Sequence, residues 1–282
     1  FDENDLIEAM QDVYEETRRP FVVIIDEWDC IFREYKEDKE AQEIYLDFLR
    51  DMLKDKPCIH LAYMTGILPI KKYGTHSALN MFSEFSMTNP RQLTSYVGFT
   101  EDEVNELSER YNISLSDLKE WYDGYHFGNT DIYCPWDVVR YCKSLCADPT
   151  ALPEDFWSNS SGNAIVRRLI DRADVQTKNE IERLIAGESV EREISQELTY
   201  DELDKNIENL WSVLFTTGYL THQGRTEDDK YRLVIPNKEI RNLFIKKIRE
   251  WFSDTSRRDG KTLEEFCNAF VNKDTLKIEQ LF

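Results

Sequence analysis

Three acids stand close together at Asp26, Glu27 and Asp29, directly after five apolar residues, Phe21 to Ile25. Carboxylates in that position have a defined chemistry. An acid at the end of a buried strand can hold a magnesium ion through water, and a second acid beside it can orient or deprotonate an attacking water. Asp26 is the candidate magnesium ligand and Glu27 the candidate catalytic base. Asp29 stands behind Asp26 as a second cofactor-binding acid, or it caps the next segment. A plainer reading stays open, in which a buried strand merely ends in solvated acids. Thr65 closes a second apolar run, Cys58 to Thr65, and its hydroxyl is a candidate catalytic group sensing the terminal phosphate or the attacking water. It also suits the simple end of a strand before Gly66.

These residues need a scaffold that brings two strand ends together. Phe21 to Ile25 lacks alternation, which predicts a strand with both faces buried, as in a parallel sheet. Leu6, Met10 and Val13 predict one face of a preceding helix, stopped by Arg18, Arg19 and Pro20. Ile44, Phe48, Leu49 and Met52 predict a helix between the two apolar runs. Strand, helix and strand at this spacing form a right-handed crossover unit, which puts Thr65 at the same sheet edge as Asp26.

Beyond Gly66 come a loop with Lys71 and Lys72 and a short strand over 85–88. The chain then turns helical near Phe99. Thr100 to Glu103 reads as a capping box, Ser114 and Pro135 as helix starts, and Thr177 to Glu180 and Thr199 to Glu202 as further boxes. Ser161 suits the cap of a helix over 162–172. Tyr122 to Gly128 predicts a compact aromatic loop, whose Tyr122, Asp123, Tyr125 and His126 either reach a ligand or plug two regions together. A helix over 206–215, strands over 218–221 and 231–235, and a helix from Pro236 to Phe252 follow the order of a winged helix. Lys238, Arg241, Lys246, Lys247 and Arg249 on that last helix make either a nucleic-acid surface or a solvated cationic face.

Composition narrows the function. The 282 residues suffice for one large or two ordinary domains, and 41% are hydrophobic. A mean hydropathy of -0.59 and no long apolar run argue against a spanning helix. The net charge of -20 disfavours broad binding to nucleic acid or anionic membrane. Six scattered cysteines read as reduced thiols of a cytoplasmic protein. Cys142 and Cys146 share a helix face without a second ligand pair, which argues against zinc. No signal peptide is visible, and the start at Phe1 suggests a fragment or processed chain. Gly260, Lys261 and Thr262 imitate the tail of a phosphate loop, but Thr255 stands where that loop needs glycine. Thr262 and Glu265 fit a capping box instead. With no other such tripeptide, a phosphate cradle for Asp26 lies outside this sequence. An aspartyl phosphatase needs aspartates two apart, and Asp26 and Asp29 are three apart; an acid and lysine two apart on a later strand, as a nuclease needs, do not occur at these strand ends.

The segments FVVIIDEWD (21–29), AYMTGILP (62–69), FSMTNP (85–90), WYDGYHFG (121–128) and VIPNKE (234–239), with 96–103, resemble bacterial AAA-ATPase-like domain proteins, which often carry a C-terminal PD-(D/E)XK nuclease-like domain. The resemblance spans about Leu6 to Phe252. It implies an α/β part followed by a mainly α part: the C-terminal portion of a P-loop NTPase parallel sheet, then a helical region with a winged-helix-like hairpin. Implied divisions are a partial NTPase core over 1–98, a helical region over 99–200, a winged-helix-like region over 201–255, and a linker or nuclease start over 256–282. It implies Asp26 and Glu27 as Walker B acids, Thr65 as a sensor, and Mg2+ and ATP as cofactors. The implied activity is slow, switch-like ATP hydrolysis in the full-length protein and little or none in this chain alone. The alternative is an interaction module with a degenerate nucleotide site that binds a partner protein or DNA. The implied partners are ATP and a protein partner or the protein's own nuclease-like domain, with DNA disfavoured by charge and no membrane. Trp28 replaces the family's usual tyrosine, and the family's phosphate loop is not in this sequence. Arg91, Arg167, Arg168 and Arg241 are equal candidates for an arginine finger.

Overall fold

The computed structural model describes residues 3–68, 81–128, 130–157, 173–195, 198–203, 205–206 and 208–246. In chain order the elements are α1 (Glu3–Thr17), β1 (Phe21–Ile25), α2 (Cys30–Glu34), α3 (Lys39–Leu53) and β2 (Ile59–Met64). Then come α4 (Glu101–Tyr111), α5 (Leu115–Tyr122), β3 (Tyr125–Phe127), β4 (Thr130–Ile132) and α6 (Pro135–Ala147). The rest are α7 (Val175–Ile185), β5 (Val190–Arg192), α8 (Asn209–Thr216), β6 (Thr221–Arg225), β7 (Tyr231–Val234) and α9, described over 238–246. Two compact units emerge, each assembled from separated stretches. The first comprises Phe1–Val97, Tyr125–Ile132 and Glu191–Leu233; the second comprises Gly98–Gly124, Tyr133–Val190 and Val234–Phe282.

In the first unit β1 pairs with β2 in parallel, with Val22 opposite Leu61, Ile24 opposite Tyr63 and Ile25 opposite Met64. A parallel pair needs a long crossover, and α2 and α3 supply it. Asp38 caps α3 by accepting the Ala41 N–H at 3.0 Å. Leu46, Leu49, Met52 and Leu53 form the buried stripe of α3, while Ile44 is exposed. Of the expected stripe Leu49 and Met52 are buried and Phe48 is half-buried, while Gln42 turns inward and donates to the Tyr35 and Lys36 carbonyls.

The burial of β1 corrects the sequence reading. Val22 is 56% exposed, Ile24 72%, Leu61 55% and Tyr63 52%, so one face of the two-stranded sheet is open and apolar. A run without alternation marks a strand whose side chains are all apolar; it does not by itself place an element over each face. Two small sheets complete this unit, β3–β4 and β5-β7-β6. YDGYHFG is therefore a helix end and a hairpin, not a loop: β3 runs antiparallel to β4. The segment expected as a strand over 85–88 is a turn closed by the bridge between Ser86 and Asn89. The strand expected at 218–221 starts at Thr221 instead. Gly218, at φ +80, ends α8, and the Leu220 N–H returns to the Leu214 carbonyl at 2.9 Å.

The second unit is mostly helical. The Thr100 capping box forms as expected, Ser114 caps α5 and Pro135 opens α6. Val104, Leu118, Tyr122 and Val138 are buried together, while Val139 is exposed. α7 begins before the expected box, because Asp174 accepts the Thr177 N–H at 2.7 Å. The helix expected over 162–172, the loop with Lys71 and Lys72, the capping box at Thr262 and the nuclease-like segment lie outside the described residues. Among the described residues no helix is long and apolar enough to cross a membrane.

Candidate functional site

The site lies where β1 and β2 end side by side. The ladder continues past both strands: the Thr65 N–H donates to the Ile25 carbonyl at 2.9 Å, and the Trp28 N–H to the Thr65 carbonyl at 2.9 Å. These two bonds bring the hydroxyl of Thr65 to the acids. It donates to Asp26 Oδ1 and accepts the Glu27 N–H at 3.1 Å. The expected neighbours Asp26, Glu27 and Thr65 are thus brought together, and both acids are exposed.

Glu27 holds a φ of +53, a left-handed conformation that costs a residue with a Cβ about 1 kcal/mol. That kink lets the two flanking directions diverge. Glu27 turns outward, and Trp28 turns into the core, edge-on to Phe32 at 5.5 Å. Phe32 in turn stacks on Tyr200 at 6.3 Å. Gly66 leaves room for this arrangement, since a Cβ there would sit 2.3 Å from Trp28 Nε1.

Asp29 does not share the exposed edge. It is fully buried, and its Oδ2 accepts from the Ile67 N–H at 2.8 Å, the Leu68 N–H at 3.2 Å and the Tyr200 hydroxyl at 2.8 Å. It makes no side-chain cap on α2. Its carboxylate is an internal strut that fixes the turn after β2, rather than an open cofactor ligand. Its role is therefore to hold Thr65 and Gly66 in place from behind.

Arg33 links the inner and outer acids. It pairs with Glu27 at 2.5 Å and approaches Asp29 at 3.8 Å. Burial opposes its charge, but the bond to Glu27 and the charge of Asp29 outweigh burial and raise its pKa. Sequence reading missed Arg33, although the Asp29–Arg33 spacing of four on a helix was a usable signal. Tyr200 had no such signal, lying 171 residues from its partner Asp29.

A hard cation suits this edge. Mg2+ takes oxygen ligands, keeps several waters and needs only one or two carboxylates. Asp26, with the Thr65 hydroxyl beside it, has that donor chemistry, and Glu27 stands one residue away. Among the described residues, this edge included, no group of three or more His, Cys, Asp or Glu side chains could cage a metal. Cys30, Cys58, Cys134, Cys142 and Cys146 are free thiols.

The aromatic motif splits in function along its length. Within the first unit His126 Nδ1 lies 2.8 Å from Asp131 Oδ1, and its ring meets His222 edge-on at 5.4 Å. Burial, then His126 and Arg225, lower the His222 pKa. Within the second unit Tyr122 is buried against Tyr141 and Phe156. There the motif meets VIPNKE. A Cβ on Gly124 would lie 2.1 Å from the Pro236 carbonyl oxygen, and the Asn237 side chain donates to the Asp123 carbonyl at 3.0 Å. Lys238 pairs with Glu120 at 2.9 Å and lies over the Trp121 ring at 4.7 Å. Lys238 therefore has partners within the protein and is not a free nucleic-acid contact. Lys247, Arg249, Arg167 and Arg168 lie outside the described residues, as does the side chain of Arg91.

No family model matches the chain. No solved structure matches it. It is similar to an uncharacterised protein in the vnfD 5' region of Azotobacter chroococcum mcd 1, 21% identical over 229 residues, covering 78% of this chain and 41% of that protein. The chain therefore spans about two-fifths of the length of the curated relative it matches.

Proposed function

We propose that the Asp26–Thr65 edge is the metal-and-phosphate edge of an AAA-like, P-loop NTPase core, and that the protein binds Mg-ATP and hydrolyses it slowly as a switch. The observation that carries this reading is the bond from the Thr65 hydroxyl to Asp26 across the ends of two parallel strands. Open α/β sheets bind ligands just beyond the carboxyl ends of their strands, and this edge is open. When bound there, Mg2+ supplies charge neutralisation for the phosphates. Asp26 holds the ion through water. Thr65 orients that carboxylate and offers its oxygen to the phosphate side. Glu27 accepts a proton from an attacking water once it leaves Arg33, which otherwise keeps its carboxylate engaged. The pairing with Arg33 supports a slow, gated reaction rather than rapid turnover. Free thiols at the five described cysteines support a cytoplasmic setting.

Phosphate grip depends on backbone amides and a lysine in a glycine-rich loop, and this sequence carries no such loop. The 282-residue chain alone therefore turns over little or no ATP. The test compares ATP hydrolysis by the full-length protein with its Asp26→Asn and Glu27→Gln variants. Loss of turnover in both supports the reading; turnover equal to wild type in both overturns it.

A second reading is favoured by a separate observation, the open apolar face of Val22, Ile24, Leu61 and Tyr63. Such a patch marks an interaction surface. On this reading the chain is an interaction module for a partner protein, and its nucleotide site is degenerate. Mg-ATP affinity of the full-length protein separates the two: millimolar or weaker binding favours the module.

A further inference from the structure

The second unit hides a pair of acids that the nucleotide reading does not use. Asp137 lies in the first turn of α6 and Glu239 in the first turn of α9; they are 3% and 1% exposed. The two carboxyls are in hydrogen-bonding contact with each other. Glu239 Oε1 accepts the Trp157 N–H at 2.5 Å, which ties the segment ending at Trp157 to α9. The same segment is held a second time, since the Tyr122 hydroxyl donates to the Glu154 carbonyl and accepts the Glu154 N–H, both at 3.1 Å.

Among the described residues no donor reaches the remaining oxygens, Asp137 Oδ1 and Glu239 Oε2, which are buried. Two carboxylates in that position would repel each other in a medium that solvates neither. Among the described residues the titratable groups that act on the pair give no relief. Cys134 lies beside Asp137, Tyr122 reaches both acids from α5, and Asp155 acts on Glu239 from the tethered segment; none is a cation. Lys238, the neighbour of Glu239 on α9, is paired with Glu120. A proton on one carboxyl removes the repulsion and supplies the missing donor.

We propose that Glu239 keeps one proton and donates it to Asp137, and that this proton locks the 154–157 segment onto α6 and α9. Both acids sit in the first turn of a helix, and Asp137 is the better site for the negative charge because it is also hydrogen-bonded to Cys134. Burial, reinforced by the charge of Asp137, pushes the Glu239 carboxyl up to about 8. When base removes the shared proton to solvent, two adjacent charges remain, and the segment carrying Trp157 is released. The device is independent of the Asp26 edge and of any nucleotide.

Carbon-13 carboxyl NMR of the chain tests the proton directly. Glu239 should titrate near pH 8, and Asp137→Asn should move that titration down toward the ordinary glutamate range. Hydrogen exchange, corrected for the intrinsic effect of pH, tests the lock. Protection of the Trp157 amide should fall about tenfold or more between about pH 7 and pH 9, and Glu239→Gln, which keeps an uncharged donor and acceptor, should abolish that fall. A Glu239 titration near its ordinary value, or an equal loss of protection in Glu239→Gln, overturns the proposal. Should the glutamine variant fail to fold, the wild-type titration alone decides.

Discussion

The two units treat a pair of acids in opposite ways. At the end of β1, Asp26 and Glu27 face water, and each has a polar partner: the Thr65 hydroxyl for one and Arg33 for the other. Between α6 and α9, Asp137 and Glu239 are enclosed, and the described titratable groups that act on them are neutral or acidic. Residue type is the same, yet the first pair can serve as ligands and the second can only share a proton. Solvent and donors, rather than the carboxyl group itself, decide which chemistry an acid performs.

Four experiments sharpen or break this contrast, beginning with the largest effect. Asp29→Ala should cost about 3–5 kcal/mol in denaturant unfolding, because it leaves the Tyr200 hydroxyl and two backbone N–H groups buried without their acceptor. A cost near that of an exposed acid would show that Asp29 belongs with Asp26 at the open edge. Gly66→Ala should cost about 1–3 kcal/mol, since its Cβ would force Trp28 from its place. If the variant melts like wild type, the edge is looser than its packing indicates.

The third is a pH effect with a definite sign. Glu239 has a folded pKa of about 8, raised above its ordinary 4.5. The folded state then holds more protons than the unfolded state between those values, so this group's contribution weakens as pH rises from about 4.5 to 8. Melting followed across that window should show a decline that Glu239→Gln flattens, whereas Asp26→Asn should leave it intact. A decline that also vanishes in Asp26→Asn would erase the distinction between the pairs. The smallest stability effect belongs to Thr65→Val, about 1 kcal/mol or less by thermal melting, because its bonds lie at an exposed edge. On the proposed ATPase reading, its cost should appear in the full-length protein as at least about tenfold slower ATP hydrolysis. Unchanged hydrolysis would remove Thr65 from the site.

Local signals were legible where neighbours in sequence are neighbours in space. The box at Thr100, the cap at Ser114 and Pro135 at the start of α6 depend on three or four consecutive residues, and each formed at its expected position. The meeting of Asp26 with Thr65 was also readable, since two apolar runs joined by a helix require a parallel pair. Errors arose where a longer context competed. Tyr122 to Gly128 has loop-like glycines, but Gly124 and Gly128, at φ +100 and +61, turn the chain into and out of β3. The residues after α8 were apolar enough for a strand, yet Gly218 spent them on closing the helix.

The order of residues alone determined which acids lie at strand ends, where several helices start, and that the sequence contains no glycine-rich phosphate loop. It could not separate Asp29 from Asp26, because both are aspartates within four positions. Tertiary structure made that separation by bringing Tyr200 from 171 residues away to one and leaving the other in water. The same reason explains Asp137 and Glu239, whose partnership depends on two helices packing and has no local trace. Burial and long-range partners are properties of the folded chain, and they decide which of these acids faces water and which is enclosed.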